Sequence, residues 1–256
     1  GLSSAALAVL LALAPAAAAP TLNLSNPRDA LTANRKIHCS AKDGEAVVYH
    51  WSGRVYSRVQ GEPDRHLFNV EGMNVRQCGA VTHPEQGAGY RMVSRELMLY
   101  LDPETNELLR TWTNPWTNQT VDVMHVANDP VNSRPTFERS ADGRPFKLPG
   151  RINQGKVFLP VEVPLFYTNP LGGEYQEFVG NQYHAMEIFD FVVEEADLLN
   201  ARRDRASPSI AWVRLSSWLP WMRMSGRQGQ LVFNAVGQTM RNGVADLPPV
   251  LREEIA

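Results

Sequence analysis

Two cysteines in 256 residues are too few for a disulfide scaffold or a four-thiolate zinc site. Charge of one sign is also missing: 25 Lys and Arg stand against 27 Asp and Glu, and the basic residues form no long run. The chain therefore carries no electrostatic footprint for nucleic acid. It has no G-x-S-x-G nucleophile elbow, no G-x-x-x-x-G-K-[ST] phosphate loop, no H-E-x-x-H pair and no G-x-G-x-x-G turn after a strand. Those absences disfavour the usual serine hydrolases and nucleotide-binding loops, and no cofactor is expected. Beyond residue 20 there is no repeat of fixed period and no low-complexity tract. What remains is a globular composition, 43% hydrophobic and 20% charged, which excludes a disordered or collagen-like chain.

The apolar residues that do run together lie at the start. Positions 1–20, GLSSAALAVLLALAPAAAAP, carry no charge and end in an A-x-A pattern at residues 17–19. This reads as the apolar region and cleavage site of a secretory signal peptide, cut short at its beginning because the positive segment is missing. It is too short and too alanine-rich for a membrane span. The expectation is export to a periplasm or cell surface, with residues 21–256 forming a single β-rich domain. In an oxidising compartment Cys39 and Cys78 either close one loop of about forty residues or remain two buried thiols.

From Asn26 the pattern changes. Asn26-Pro27 followed by RDALTANRKI starts a short amphipathic helix. Strand signals then dominate. Residues 47–51 and 54–59 flank Ser52-Gly53 like the two arms of a tight hairpin. Extended runs follow at 66–78, 90–101, 108–113, 120–127, 156–167, 174–178, 183–193, 210–219 and 230–236. Residues 128–155, broken by Pro130, Pro135, Gly143, Pro145, Pro149 and Gly150, form one long excursion. Helices are expected at 194–204 and 248–255. The fold class is all-β with a few short helices, an antiparallel meander closing into a barrel-like, lipocalin-like sheet, because closure removes exposed edges.

Alternation within the strands points to a hollow. Tyr90, Met92, Ser94, Glu96, Met98 and Tyr100 share one face, while the other face is also mainly apolar. Tyr183, Ala185, Glu187, Phe189 and Phe191 do the same, opposite His184, Met186, Ile188, Asp190 and Val192. A half-exposed strand would alternate more cleanly. Glu96, Glu187 and Asp190 are thus set among apolar neighbours and must be paired, hydrogen-bonded or shifted in pKa. Either they pair with Arg91, Arg95, Arg202 or Arg203, or one of them serves as a general acid or base. With the pocket histidines His125 and His184, these three acids are the candidate catalytic residues. A metal site built from His125, His184 and a carboxylate has no ligand spacing behind it, and none is assigned.

Aromatic residues supply the candidate ligand contacts. Trp51, Tyr56, Trp112 and Trp116 lie on or beside early strands and turns, Tyr183 and Trp212 on late ones. The segment Trp218-Leu219-Pro220-Trp221-Met222-Arg223-Met224 is unusual for a strand, since Pro220 interrupts ladder bonding between Trp218, Trp221 and Met222. It suits a flexible apolar lip over a cavity mouth.

The runs YHWSGRVYSRVQGE, LFNVEGMNVRQC, SRELMLYLDPETNELLRTWTNPWT, VMHVANDPVN, PVEVPLFYTNPL and YHAMEIFDF, in this order, resemble the bacterial family labelled domain of unknown function 1838. The resemblance covers the chain from Asp29 to its C-terminus. It implies export and supplies no catalytic residue. Three expectations compete. The first is a binding protein for an apolar, aromatic or isoprenoid-like small molecule. The second is a cofactor-free acid/base enzyme (isomerase, hydratase, lyase or decarboxylase) using the same pocket. The third is an envelope structural or interaction protein.

Overall fold

Asn26 opens the first helix as its side chain dictates: Oδ1 accepts from the amides of Arg28 and Asp29 at 3.0 and 3.2 Å, and Pro27 occupies the first turn. This helix, α1, spans Pro27–His38. A computed structural model describes residues 21–255, so the signal-peptide expectation for positions 1–20 lies outside the described residues.

Twelve strands follow among the described residues: β1 Val47–Arg58, β2 Arg65–His83, β3 Gly87–Leu101, β4 Thr111–Thr113, β5 Thr120–Asp122, β6 Val126–Pro130, β7 Thr136–Phe137, β8 Arg151–Asn153, β9 Lys156–Thr168, β10 Gln182–Glu194, β11 Ser209–Ser216 and β12 Gln230–Thr239. Short helices α2 Gln176–Val179, α3 Glu195–Leu199 and α4 Pro249–Ile255 complete the described elements, besides three 3₁₀ turns. One large antiparallel sheet runs in the order β6-β3-β2-β1-β12-β11-β10-β9-β8, with β7 against β3, while β4 and β5 pair separately. It is two meanders, β1–β3 and β8–β12, joined where β12 pairs with β1. The expected long excursion carries the short strands β6, β7 and β8.

The sheet does not close into the expected barrel. No pairing joins its β6 and β8 ends. The gap is bridged by α1, which lies between the two arms. On one side Asn34 Nδ2 donates to Tyr90 Oη of β3 at 2.6 Å, and Cys39 is disulfide-bonded to Cys78 of β2. On the other, Ala30, Ala33 and Ile37 pack with Val157, Leu159, Phe191 and Val193 of β9 and β10. A helix covering the seam replaces strand pairing as the device that protects the edges.

The hairpin expected at Ser52-Gly53 is also absent, since β1 runs straight through it. Gly53 is there for close approach rather than for a turn: a Cβ on it would stand 2.2 Å from the Asn234 carbonyl oxygen of β12. Gly72 has the same role one strand over, where a Cβ would meet the Trp51 indole at 2.1 Å. Trp51 therefore lies flat on the sheet, seated in the space that a side chain would fill.

Both faces are covered along the end of β3 and the parts of β1 and β2 beside it, which explains the weak alternation of β3, whereas the outer face of β9 and β10 is largely exposed. On the convex side Leu97, Leu99 and Leu101 pack with Val48, Met73 and Met240 beneath Leu247 and Leu251 of the C-terminal segment. On the concave side lie Phe68, Tyr100, Tyr183, Trp212, Leu231 and Phe233. Among the described residues no helix is long and apolar enough to cross a membrane.

Candidate functional site

The register states which side chains line the concave face. Glu187 of β10 stands directly opposite Arg214 of β11, which is opposite Phe233 of β12, then Val55 of β1 and Phe68 of β2. One row nearer α1 come Val161, Phe189, Trp212, Ala235, Gly53, Val70 and Tyr100. Nearer still are Trp51 and Gly72 with Met98, and beside them Asn74 opposite Glu96. The curl of the sheet brings the β3 side of this face, with Glu96 and Tyr100, within electrostatic reach of Glu187 and Arg214 on the far arm.

The cluster is ionic. Arg214 Nη1 is 3.6 Å from Glu187 Oε1, its Nη2 donates to Tyr167 Oη at 3.3 Å, and its guanidinium lies 5.7 Å from the rings of both Tyr183 and Phe233. Arg76 lies 4.4 Å over the Tyr49 ring and donates from Nε to Asn74 Oδ1 at 3.0 Å. His38, at the end of α1, enters the same space with its ring 5.2 Å from Phe191; its Nδ1 is 2.9 Å from the Asn34 carbonyl. Protein surrounds His38, Arg76, Glu96, Glu187 and Arg214 on nearly every side. Each nevertheless keeps some accessible surface. Enclosure with residual access makes this face a narrow, largely filled crevice, and the wider surface grooves, around Asp190, Phe137 and Met240, lie elsewhere. Val161, Val163, Leu165 and Tyr167, facing inward along β9, are all half-buried, so the crevice reaches solvent along that arm.

Burial sets the proton affinities. Glu96 is pushed up to about 7 by burial and by the nearby Glu187 carboxylate, against the opposing pull of Arg76 and Arg214. Glu187 is raised by burial too, with Arg214 and the Trp212 indole pulling back. His38 is pushed down to about 4, first by burial and then by Arg76.

These shifts have opposite signs in stability. A carboxyl whose folded pKa is near 7 against 4.5 unfolded holds its proton more tightly when folded. Stability from Glu96 is therefore fully present below about 4.5 and lost as pH rises through about 7. His38, with its folded pKa near 4 against 6.5, gains stability across 4 to 6.5, so the two oppose each other there. In Glu96→Gln the melting temperature should hold up better than the parent's on going from pH 6 to 8. Parallel melting curves over that range would remove the assigned burial of Glu96.

Of the five acid/base candidates, the fold brings Glu96 and Glu187 together and separates the rest. His184 and Asp190 alternate with Glu187 and emerge on the outer face; His184 stands edge-on to the exposed Phe166, with ring centroids 4.9 Å apart. Asp190 opens onto a surface groove with Phe158 and Pro160. His125 has both nitrogens occupied: Nδ1 accepts from the Tyr100 amide at 3.0 Å, and Nε2 lies 2.9 Å from the Leu109 carbonyl. It is a backbone clamp with no nitrogen to spare. The ion-pair partner of Glu187 is Arg214, none of the four arginines named from the sequence. Arg91 and Arg95 have the wrong parity, pointing away from Glu96 on the same strand.

Among the aromatic candidates, Trp51, Tyr183 and Trp212 line the crevice. Tyr56 lies on the outer face, its ring centroid 5.2 Å from that of His66. The expected lip is a packed plug. Pro220–Met222 forms a 3₁₀ turn in which Trp221 and Met222 are buried against Phe68, Tyr100 and Trp112, and Asn114 Nδ2 donates to the Met222 carbonyl at 3.0 Å. Pro220 opens this turn, four residues past the end of β11 at Ser216, and both large side chains are buried. Trp218 donates from Nε1 to the Arg227 carbonyl at 3.0 Å, and Trp116 donates to Glu62 at 2.9 Å, so both serve the rim of this plug.

Residues 44–256 match the model of a family described as protein of unknown function (DUF1838). The chain belongs to that family. No curated protein matches it. Within the DUF1838 region fall β1–β12 and, with them, all the crevice groups except His38. The resemblance drawn from the sequence motifs is thereby shown. Sequence reasoning passed over Arg76, Arg214 and His38. The signal that exposed Glu96, a charge in phase with apolar neighbours, was present for Arg214 as well, two residues from Trp212.

Proposed function

We propose that the protein is exported and that its concave crevice binds a small molecule with an apolar, aromatic or isoprenoid-like body. The observation that carries this reading is the set of enclosed but unsealed groups, Glu96, Glu187, Arg76 and Arg214, flanked by Trp51, Trp212 and Phe189. A protein built only for stability gains little from burying such groups beside one another, because their desolvation offsets their attraction. Ligand sites combine this kind of apolar wall with a few converging polar atoms. The Cys39–Cys78 bond fits an oxidising compartment and so supports export. Mass spectrometry of the protein purified from its native envelope tests the reading. A small molecule should be released on denaturation and lost in a variant whose crevice is filled, Ala235→Phe. Protein that arrives empty and binds nothing from an envelope extract would sink the proposal.

One observation favours acid/base catalysis in the same crevice as a second reading. Glu96, pushed up to about 7, can hold a proton at neutral pH while Glu187 sits against Arg214. Two carboxyl groups in different protonation states can act as acid and base on one bound molecule. Incubating the released molecule with the protein in D2O tests this. Deuterium should enter an acidic C–H bond with the parent and fail to do so with Glu96→Gln; equal exchange with both proteins excludes the role.

A further inference from the structure

Five buried polar atoms on the concave face have no hydrogen-bond partner: Trp51 Nε1, Trp212 Nε1, Arg76 Nη1, Arg214 Nε and Tyr183 Oη. The first four are donors only, and the phenol can donate. Burying a donor without an acceptor is costly, and native interiors rarely leave several such groups together. Trp212 and Tyr183 are themselves 7% and 1% exposed, so water does not relieve them from the surface. The Trp212 N–H lies near the Glu187 carboxylate without meeting it in hydrogen-bond geometry. Trp51, held flat on Gly72, packs edge-on against Trp212 with ring centroids 6.3 Å apart, so the two indoles lie side by side on this face. Glu96 and Glu187 bring carboxylates to this face, yet neither meets these donors in hydrogen-bond geometry.

We propose that the crevice recognises a carboxylate: its ligand is a monoanionic amphiphile whose carboxylate oxygens accept from the Trp51, Trp212, Arg76 and Arg214 donors, with the apolar body directed along β9. This rests on the crevice being a ligand site and names what that site takes. The charge count agrees. Arg76 and Arg214 contribute two positive charges and Glu187 one negative, His38 with its lowered proton affinity is neutral near pH 7, and Glu96, pushed up to about 7, is about half ionised there. The remainder is positive, reaching a full unit when Glu96 takes up its proton, and an anion bound nearby favours that uptake. Asp129, opposite Glu96 on β6, is exposed at the rim, where water screens it. The body has a place as well, since Val161, Val163 and Leu165 are inward-facing but only half-buried. A carboxylate with two acceptor oxygens suits donors on two sides better than a single hydroxyl does.

The experiment is a calorimetric titration of the full chain at pH 7 with two acid/alcohol pairs: 2-naphthoate with 2-naphthalenemethanol, and dodecanoate with dodecanol. At least one acid should bind about tenfold or more tightly than its alcohol, the discrimination expected of charge-assisted hydrogen bonds. Trp51→Phe combined with Trp212→Phe removes two donors and should shrink the ratio of acid to alcohol affinity severalfold, whatever it does to both affinities together. If alcohols bind as tightly as acids, the carboxylate inference fails while the crevice reading stands. If the double variant keeps the full preference, the indoles are not the readers and the inference again fails. If none of the four molecules binds, the crevice reading fails and the inference with it.

Discussion

Replacing Arg214 with Ala is expected to destabilise the protein by about 3–5 kcal/mol, the cost of removing one partner from a buried ion pair. The Arg214 and Glu187 side chains retain only 14% and 18% of their accessible surface. Truncating the arginine leaves a carboxylate among Phe233, Ala185 and Val163 with no countercharge in its own row, and removes the donor held by Tyr167. Replacing both partners together, Arg214→Met with Glu187→Leu, removes the two desolvation costs at once and should come out close to neutral. Urea denaturation of the parent, the single variant and the double variant measures this. A single variant losing less than about 1 kcal/mol would place the pair in water, as exposed ion pairs contribute no more than that. Glu187→Gln lies between, keeping the shape and an acceptor oxygen while losing the charge. A large fall in its melting temperature would mark Glu187 as the partner of Arg214 first and a chemical group second. The stable double variant carries the functional side of the same experiment: it should fold and still bind less carboxylate.

Local chemistry was legible and cross-strand chemistry was not. The Asn26-Pro27 cap located α1 within a residue, because an N-cap acts over three neighbours. Alternation located β3 and β10 and set Glu96, Glu187 and Asp190 among apolar neighbours, but parity alone did not say which face of β10 turns inward, and Asp190 lies on the outer one. Ser52-Gly53 was misread because glycine has two uses, turning and yielding space, and only the position of Asn234 on a distant strand selects the second. Barrel closure was inferred from the need to protect edges, a need that α1 meets here by lying across the seam. His125 looked like a pocket residue from its phase with Val121 and Val123, but its two backbone partners, Tyr100 and Leu109, come from elsewhere in the fold. The Glu187–Arg214 pair depends on register, and one residue of slip would send Arg214 to the outer face. No local pattern contains that information.

The same open seam makes the disulfide the second large effect. Cys39 and Cys78 are 39 residues apart and almost fully buried, at 1% and 2% exposure. Closing a loop of that length removes unfolded-state entropy equivalent to about 4 kcal/mol. Replacing both cysteines with Ser should therefore lower unfolding free energy by roughly this amount, or more where the two hydroxyls find no acceptor. The loss should also be uneven. In a closed barrel, strand pairing would hold the arms together whatever happened to a helix inside. Here the β2–β3 arm and the β9–β10 arm are tied by α1, through the disulfide and the Asn34–Tyr90 bond on one side and apolar packing on the other. Removing the covalent tie loosens the helix that brings His38 into the crevice, so hydrogen exchange at α1 amides should accelerate before that in β1 and β12 does. Uniform acceleration across the sheet would mean that the arms hold each other without the helix. In that case the seam is sealed by packing alone, and the disulfide does not control how α1 places His38 in the crevice.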